Sequence, residues 1–171
     1  MKSSLRAHGR GMRRFGLVVP IVAAVLFAGS LAAQDVQLPL KTIEVKHFTQ
    51  VEGLGLSQEF INSYYDGLRL ELAKPKTKVA DQVVDEGATV PEADAANSVI
   101  VEGKFLERKK GGLVSYVIPE INLYRTSDHK LIVTITPKVP YKPSPFNKDT
   151  NVGKMTGIRT AYEIKRALKG K

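Results

Sequence analysis

The stretch ANSVIVEGKFLERKKGGLVSYVIPEINLYRTSDHKLIVTIT, residues 96–136, decides the fold of this chain. Apolar residues alternate with polar ones in three runs, at 99–105, 114–125 and 131–136. Glycine or polar turn residues fill the two gaps between the runs. Such a pattern predicts a three-stranded antiparallel meander. Pro119 has no N–H for a ladder hydrogen bond, so the second run should contain a bulge or lie at an edge.

The first gap contains a basic cluster, Arg108, Lys109 and Lys110. Such a cluster can bind nucleic acid. However, charged side chains at a hairpin tip are usually solvated, and the glycines that follow here suit the positive φ of a turn. We therefore interpret the cluster as a solvated hairpin tip.

The segment before the meander predicts a strand, a helix and a second strand. KTIEVKHF, residues 41–48, alternates as a strand does. Ser57 is a suitable N-cap for a helix that Pro75 ends. Its buried stripe is predicted to consist of Ile61, Tyr64, Tyr65, Leu68 and Leu72. Residues 78–86 then read as a strand and 87–97 as an acidic loop, so the first unit is consistent with a right-handed parallel crossover.

Residues after the meander predict a connector and a final helix. The segment 137–148 is proline-rich and should form an extended connector. Residues 150–170 predict a C-terminal helix with Thr150 or Asn151 as its cap. Its expected apolar face comprises Met155, Ile158, Ala161, Tyr162 and Leu168. Lys154 and Lys165 fall on this face, where we expect buried stems and hydrated amines.

These elements define the predicted fold. Residues 34–171 should form a single α+β domain, a two-layer sandwich with two helices on one face of a four- or five-stranded sheet. Strand, helix and strand come first, then the antiparallel meander, then the C-terminal helix.

Residues 1–33 have the order of a secretory signal peptide: basic, apolar, then small residues. Cleavage is expected after Ala32 or Ala33, which would leave a periplasmic or secreted protein. The alternative is an inner-membrane protein anchored by residues 15–34, because about 20 uncharged residues can span a bilayer. Met12 is an alternative start that keeps a shorter basic region.

The leader accounts for much of the net charge of +9. Without residues 1–33 the chain has 21 basic and 17 acidic residues, a net charge of +4. Residues 34–137 carry −3 and residues 138–171 carry +7. The basic character of the exported form therefore belongs to its C-terminal part, and we expect no nucleic-acid partner.

Several motifs for chemistry are incomplete. The chain contains no Cys, which excludes disulfides and thiol nucleophiles. GLGLSQ, residues 53–58, lacks the third glycine of a dinucleotide fingerprint. His47 and His129 lack metal-ligand spacing. The acidic residues Asp85, Glu86, Glu92 and Asp94 lack the order of a calcium loop. We expect no cofactor and no metal.

Three phrases, VKHF, EFINSYYDGLRLELAK and ANSVIVEGKFLER, resemble an exported bacterial family known as domain of unknown function forty-four ten. The resemblance spans residues 41–136, and Asn97–Gly103 matches the family's asparagine-led strand that ends in Gly. That family is similar to the small envelope α/β domains of the curli-secretion lipoprotein and of the TolB N-terminal type. The resemblance implies a protein that binds partners in the envelope and catalyses no reaction.

We therefore expect a non-enzymatic exported protein, a binding or accessory subunit in the bacterial cell envelope. Its expected partner is an envelope protein or an anionic envelope surface, reached through the basic C-terminal part. The candidate residues of this steering surface are Lys138, Lys142, Lys148, Lys154 and Arg166.

Two other functions stay open from the residues alone. A small exported enzyme with a carboxylate-based site would need two carboxylates facing one cleft. A nucleic-acid binder would need to keep the leader and stay in the cytoplasm. The oligomeric state does not follow from the sequence.

The leader gives a first prediction. N-terminal sequencing of the protein purified from cells that express the full chain should begin at Ala33 or Gln34, because cleavage is expected after Ala32 or Ala33. A sequence that begins at Met1 or Met12 would contradict export by cleavage.

Overall fold

The structure, a computed structural model, describes residues 38–110, 115–141 and 148–170. The predicted signal peptide and residues 111–114 and 142–147 lie outside these ranges. The strands are β1 Leu40–Val45, β2 Thr49–Gln50, β3 Ala80–Asp85, β4 Val99–Lys109, β5 Ser115–Arg125, β6 Leu131–Ile135 and β7 Val139–Tyr141. The α-helices are α1 Gln58–Leu72, α2 Glu92–Ala95 and α3 Asp149–Leu168, and a 3-10 turn spans Pro75–Thr77.

All these strands form one sheet in the order β3-β1-β4-β5-β6. β1 runs parallel to both β3 and β4, whereas β4, β5 and β6 form the predicted antiparallel meander. β2 adds to β4 and β7 adds to β5. The predicted α+β class is confirmed. The sheet has more strands than predicted because β2 and β7 are two and three residues long, too short to show an alternating pattern.

Pro119 lies beside a bulge, but the extra residue belongs to β4 and not to the run that contains Pro119. Pro119 pairs with Phe105, and the next pair joins Ile118 to Glu107, so Leu106 is left over on β4. A proline suits this position because it has no N–H to offer the ladder.

The prediction for the basic hairpin tip is wrong for Arg108. β4 continues to Lys109, and the Arg108 side chain is only 4% exposed because it forms an ion pair with Asp149 of α3. Lys109 and Lys110 are exposed, as expected. The partner of Arg108 is 41 residues away in sequence, so no local pattern could indicate it.

Two loops also contain more structure than predicted. The acidic loop 87–97 contains the single helical turn α2. The proline-rich connector 137–148 contains β7, in which Val139 pairs with Val117 and Tyr141 with Ser115. These hydrogen-bonded pairs attach the connector to the sheet.

α1 matches its prediction closely. Ser57 caps it by accepting a hydrogen bond from the Phe60 N–H at 3.2 Å. The buried side includes Phe60, Tyr64 and Leu68, while Ile61 is only partly buried. Phe48 and Phe105 complete an aromatic cluster between α1 and the sheet, with ring centroids 4.9–5.9 Å apart.

α3 differs from its prediction in three respects. It begins at Asp149 after Lys148 and has no side-chain cap, so neither Thr150 nor Asn151 serves as one. Met155 and Tyr162 are 48% and 47% exposed instead of buried. The amine of Lys165 is buried instead of hydrated. The buried face consists of Val152, Gly153, Thr156, Gly157, Thr160, Ala161, Ile164, Lys165 and Leu168.

The two long helices cross at glycines. A Cβ built on Gly157 would lie 2.0 Å from the carbonyl oxygen of Tyr64, and one on Gly153 would lie 2.3 Å from that of Phe60. From the other side, a Cβ on Gly67 would lie 2.1 Å from the Lys154 carbonyl oxygen. Backbone therefore packs on backbone, a distance that only glycine permits.

None of the helices within the described ranges has the length and apolar character to cross a membrane.

Candidate functional site

A groove between β7 and α3 is the candidate functional site. β6 ends at Ile135, and β7 then pairs with β5 on one side only among the described residues. α3 passes along the other side of β7 and leaves a depression between them. We call this depression the β7–α3 groove.

The groove consists of two shallow cavities that share Val139, Pro140 and Arg159. One has a volume of about 160 Å³ and is bordered by Tyr141 and Met155. The other has a volume of about 230 Å³ and is bordered by Pro137, Lys138, Tyr162 and Glu163. Each is smaller than the roughly 300–1,000 Å³ of pockets that enclose small-molecule ligands. Each is large enough to hold a single side chain or a group of similar size.

Arg159 divides the groove. One guanidinium N–H donates to the carbonyl oxygen of Pro140, across from α3 to β7. Arginine carries five N–H donors, so the guanidinium retains donors for a further acceptor such as a carboxylate. Pro140 has no N–H, and its carbonyl oxygen already accepts a hydrogen bond from Arg159. A partner chain at this point of β7 would therefore contact side chains and not the backbone.

Apolar side chains are exposed at the borders of the groove. Met155 and Tyr162 lie on either side of Arg159 along α3, and about half of each is exposed to solvent. Both types are enriched in the centres of protein interfaces, as is arginine. An exposed methionine, tyrosine and arginine on one helix face are therefore typical of a docking surface.

The start of α3 is fixed by an ion pair. Arg108 donates to both carboxylate oxygens of Asp149, at 2.5 and 3.2 Å, and Ser57 donates to the same carboxylate at 2.8 Å. The hydrogen bonds from Arg108 lower the pKa of Asp149 to about 2. The guanidinium also lies 5.0 Å from the centre of the Phe60 ring. This contact joins β4, α1 and α3.

The end of α3 is fixed by a buried lysine. The Lys165 amine donates to Glu71 Oε1 at 3.1 Å, to Thr77 Oγ1 at 2.6 Å and to the Glu71 carbonyl oxygen. Burial raises the pKa of Glu71, but the hydrogen bond and charge of Lys165 outweigh burial, and the net shift is downward. The loss of either partner would leave an unpaired charge in the core, which lowers the free energy of unfolding by about 3–5 kcal/mol.

The predicted steering residues are spread along β7 and α3. Lys138 lies beside β7 with its amine 3.9 Å from the centre of the Tyr116 ring. Three others are exposed: Lys148 directly precedes α3, Lys154 lies within it and Arg166 lies in its last turn. The distance from Lys148 to Arg166 is about 27 Å at 1.5 Å per residue. Lys142 lies outside the described residues.

Lys138 is the predicted residue that borders the groove. Arg159, which sequence reasoning missed, lies at its centre. The only signal in the sequence was its position between Met155 and Tyr162, at helical spacings of four and three. The prediction placed those two side chains in the core, and this obscured the signal.

The motifs considered for cofactors and metals have structural roles. Gly53 and Gly55 have φ values of 77° and 62°. Glycine adopts positive φ angles readily, so the backbone conformation accounts for glycine at both positions. His47 contacts Glu86 at 3.0 Å, and His129 stacks on Tyr124 with centroids 4.4 Å apart. Within the part of the chain that the structure describes, no three His, Asp or Glu side chains are close enough to hold a metal ion.

No protein-family model and no curated protein matches the sequence. Solved structures do resemble the fold. Protein XCC0632 of Xanthomonas campestris, from family DUF330, aligns at 9% identity over 77% of this chain and 85% of its own, with a TM-score of 0.53. This score shows a shared fold with a protein of a domain-of-unknown-function family. Membership of family forty-four ten stays a prediction.

Two further structures align with lower scores. The PelC dodecamer of Paraburkholderia phytofirmans has 13% identity over 74% of this chain and 89% of its own, with a TM-score of 0.48. Lipoprotein GNA1162 of Neisseria meningitidis has 11% identity over 72% and 97%, with a TM-score of 0.41. These lower scores add no conclusion about this chain.

The Arg108–Asp149 pair gives a prediction for acid pH. The folded pKa of Asp149, about 2, is below its usual value, so its contribution to stability is complete above pH of about 5 and is lost as the pH falls towards 2. The difference in free energy of unfolding between wild type and Asp149→Asn, measured by urea denaturation, should be constant above that pH and shrink below it.

Asp66→Asn is the control, because Asp66 is exposed on α1 and has no ion pair with a described residue. Its difference from wild type should stay near zero throughout. The ion pair would be contradicted if the wild type kept its full excess in free energy of unfolding over Asp149→Asn down to pH 2.

Proposed function

We propose that the protein is an exported, non-enzymatic binding or accessory subunit of the bacterial cell envelope, and that its β7–α3 groove docks a protein partner. Export rests on residues 1–33, which have the order of a signal peptide. The fold shared with a DUF330 protein is compatible with this proposal but does not define a partner.

The observation that carries the proposal is the composition of the groove. Each of its cavities is smaller than the pockets that enclose drug-sized ligands and suits single side chains. Around them, half-exposed Met155 and Tyr162 flank an arginine that retains hydrogen-bond donors. A binding surface needs these features, whereas a catalytic site needs reactive groups that converge on a substrate.

The shifted ionisable groups support a binding role over a carboxylate-based enzyme. Asp149 and Glu71 are the carboxylates paired most closely with buried cations, Arg108 and Lys165. Both pairs join secondary-structure elements, and neither borders the groove. Their pKa shifts therefore arise from structural ion pairs, a common cause of perturbed pKa values outside active sites.

The charge of the surrounding surface supports an acidic partner. The described residues from 138 onward carry six exposed basic side chains and two half-buried acidic ones, whereas Lys165 is buried. Clustered charge of one sign accelerates association with the opposite sign and weakens with salt. An envelope protein with an acidic surface therefore fits the groove better than a neutral one does.

Co-purification from the native envelope tests this proposal. A double variant, Met155→Ala with Tyr162→Ala, should recover about tenfold less partner than wild type, because truncation of a central interface side chain commonly costs more than 1 kcal/mol. The matched control is Leu70→Ala, since Leu70 is 59% exposed on α1 and does not border the groove. Equal recovery by wild type and the double variant would refute the docking role of the groove.

A further inference from the structure

The groove has a complementary surface elsewhere on the same molecule, next to β1. The residues from 79 to 97, which comprise β3, α2 and their connections, contain five acidic side chains and no basic one. Those acidic residues are Asp81, Asp85, Glu86, Glu92 and Asp94. The described residues from 138 onward carry six exposed basic side chains and two half-buried acidic ones, so the two regions have opposite charge.

Only part of the acidic region is neutralised within the molecule. Asp81 pairs with Lys41 and Lys78, and Asp85 pairs with Arg69. Glu86 contacts His47. The α2 turn differs, because neither Glu92 nor Asp94 forms an ion pair with a described residue.

The α2 turn also offers small apolar groups beside its acidic ones. The sequence Val90-Pro91-Glu92-Ala93-Asp94 combines apolar and acidic residues, of which Pro91, Glu92 and Ala93 are exposed and Val90 and Asp94 are half-buried. The groove presents the counterpart, since Arg159 separates two small apolar cavities. A carboxylate bound to Arg159 would place neighbouring apolar groups over those cavities.

One molecule cannot bring these surfaces together by itself. α2 contacts β1, whereas β7 lies beyond β4 and β5 in the sheet. Three strand spacings separate β1 from β7, or about 14 Å. The acidic turn can therefore meet the basic groove only on another copy.

We propose that the β7–α3 groove of one copy binds the α2 turn, residues 90–95, of a second copy. This inference rests on the proposed function and identifies the partner of the same groove. The interface is heterologous, because each copy uses one surface to bind and presents the other. Head-to-tail contacts of this kind propagate into closed rings or open filaments.

Sedimentation velocity of the protein purified from cells expressing the full chain tests this assembly. Wild type should form species larger than dimers in about 50 mM salt, and these should dissociate in about 500 mM salt, because exposed charge pairs are screened. Arg159→Glu should weaken association at least tenfold, and so should Glu92→Gln combined with Asp94→Asn.

Mixing the two defective variants gives the decisive result. Arg159→Glu retains its acidic turn and the double variant retains its groove, so an equimolar mixture should form a 1:1 heterodimer and stop there. Lys169→Glu is the control, because it changes the same charge on an exposed residue that does not border the groove. It should assemble as wild type does. Circular dichroism melting would verify that each variant is folded.

Two outcomes would overturn the assembly. Wild type that remains monomeric at low salt excludes self-association, even if the groove recovers a different envelope protein in the co-purification experiment. In that case the proposed function stands and only the identity of the partner fails. If Arg159→Glu forms oligomers as readily as wild type does, the interface lies outside the β7–α3 groove.

Discussion

The close crossing of α1 and α3 is the contact on which the rest of the structure depends. At Gly67, Gly153 and Gly157 the backbones of the two helices touch with no side chain between them. Ridges of side chains usually separate packed helices by about 8–10 Å. Here the glycines remove the ridges at the crossing, so the relative position of the helices is determined by backbone contact and tolerates little change.

This crossing positions the groove. Arg108 and Asp149 hold the start of α3, and Lys165 with Glu71 holds its end. With its buried face against α1 and the sheet, α3 must turn Arg159 and its neighbours towards β7. A binding surface built on a helix fixed at three points is pre-organised, which reduces the entropy lost when a partner docks.

The sequence predicted the sheet better than the helical layer. Alternation in residues 99–136 gave the meander, and Ser57 and Pro75 marked the limits of α1, because these signals are local. α3 was predicted as a helix, but Met155 and Tyr162, two of the five side chains expected on its buried face, are exposed. Its true buried face contains glycine, threonine and lysine at positions where a hydrophobic pattern requires large apolar residues.

The candidate site was therefore only partly predictable. The basic character of the C-terminal part pointed to the correct region, and Lys138 borders the groove. Arg159 and the exposure of Met155 could not be inferred, because they depend on which face of α3 meets α1. The face of α3 that meets α1 depends on Gly67, which lies far away in sequence. In the sequence alone, a glycine within a helix indicates only a lower helix propensity.

Urea denaturation of Gly157→Ala tests the crossing most directly, because two effects predict opposite signs. In an exposed helix interior this substitution raises stability by about 0.5–1 kcal/mol. A Cβ 2.0 Å from the Tyr64 carbonyl oxygen must instead force the helices apart, and overpacking of this kind costs roughly 1–3 kcal/mol. We expect a lower free energy of unfolding, whereas Thr150→Ala on the exposed first turn of α3 should have little effect. An unchanged or higher free energy of unfolding for Gly157→Ala would contradict the glycine-mediated crossing and the position of the groove that depends on it.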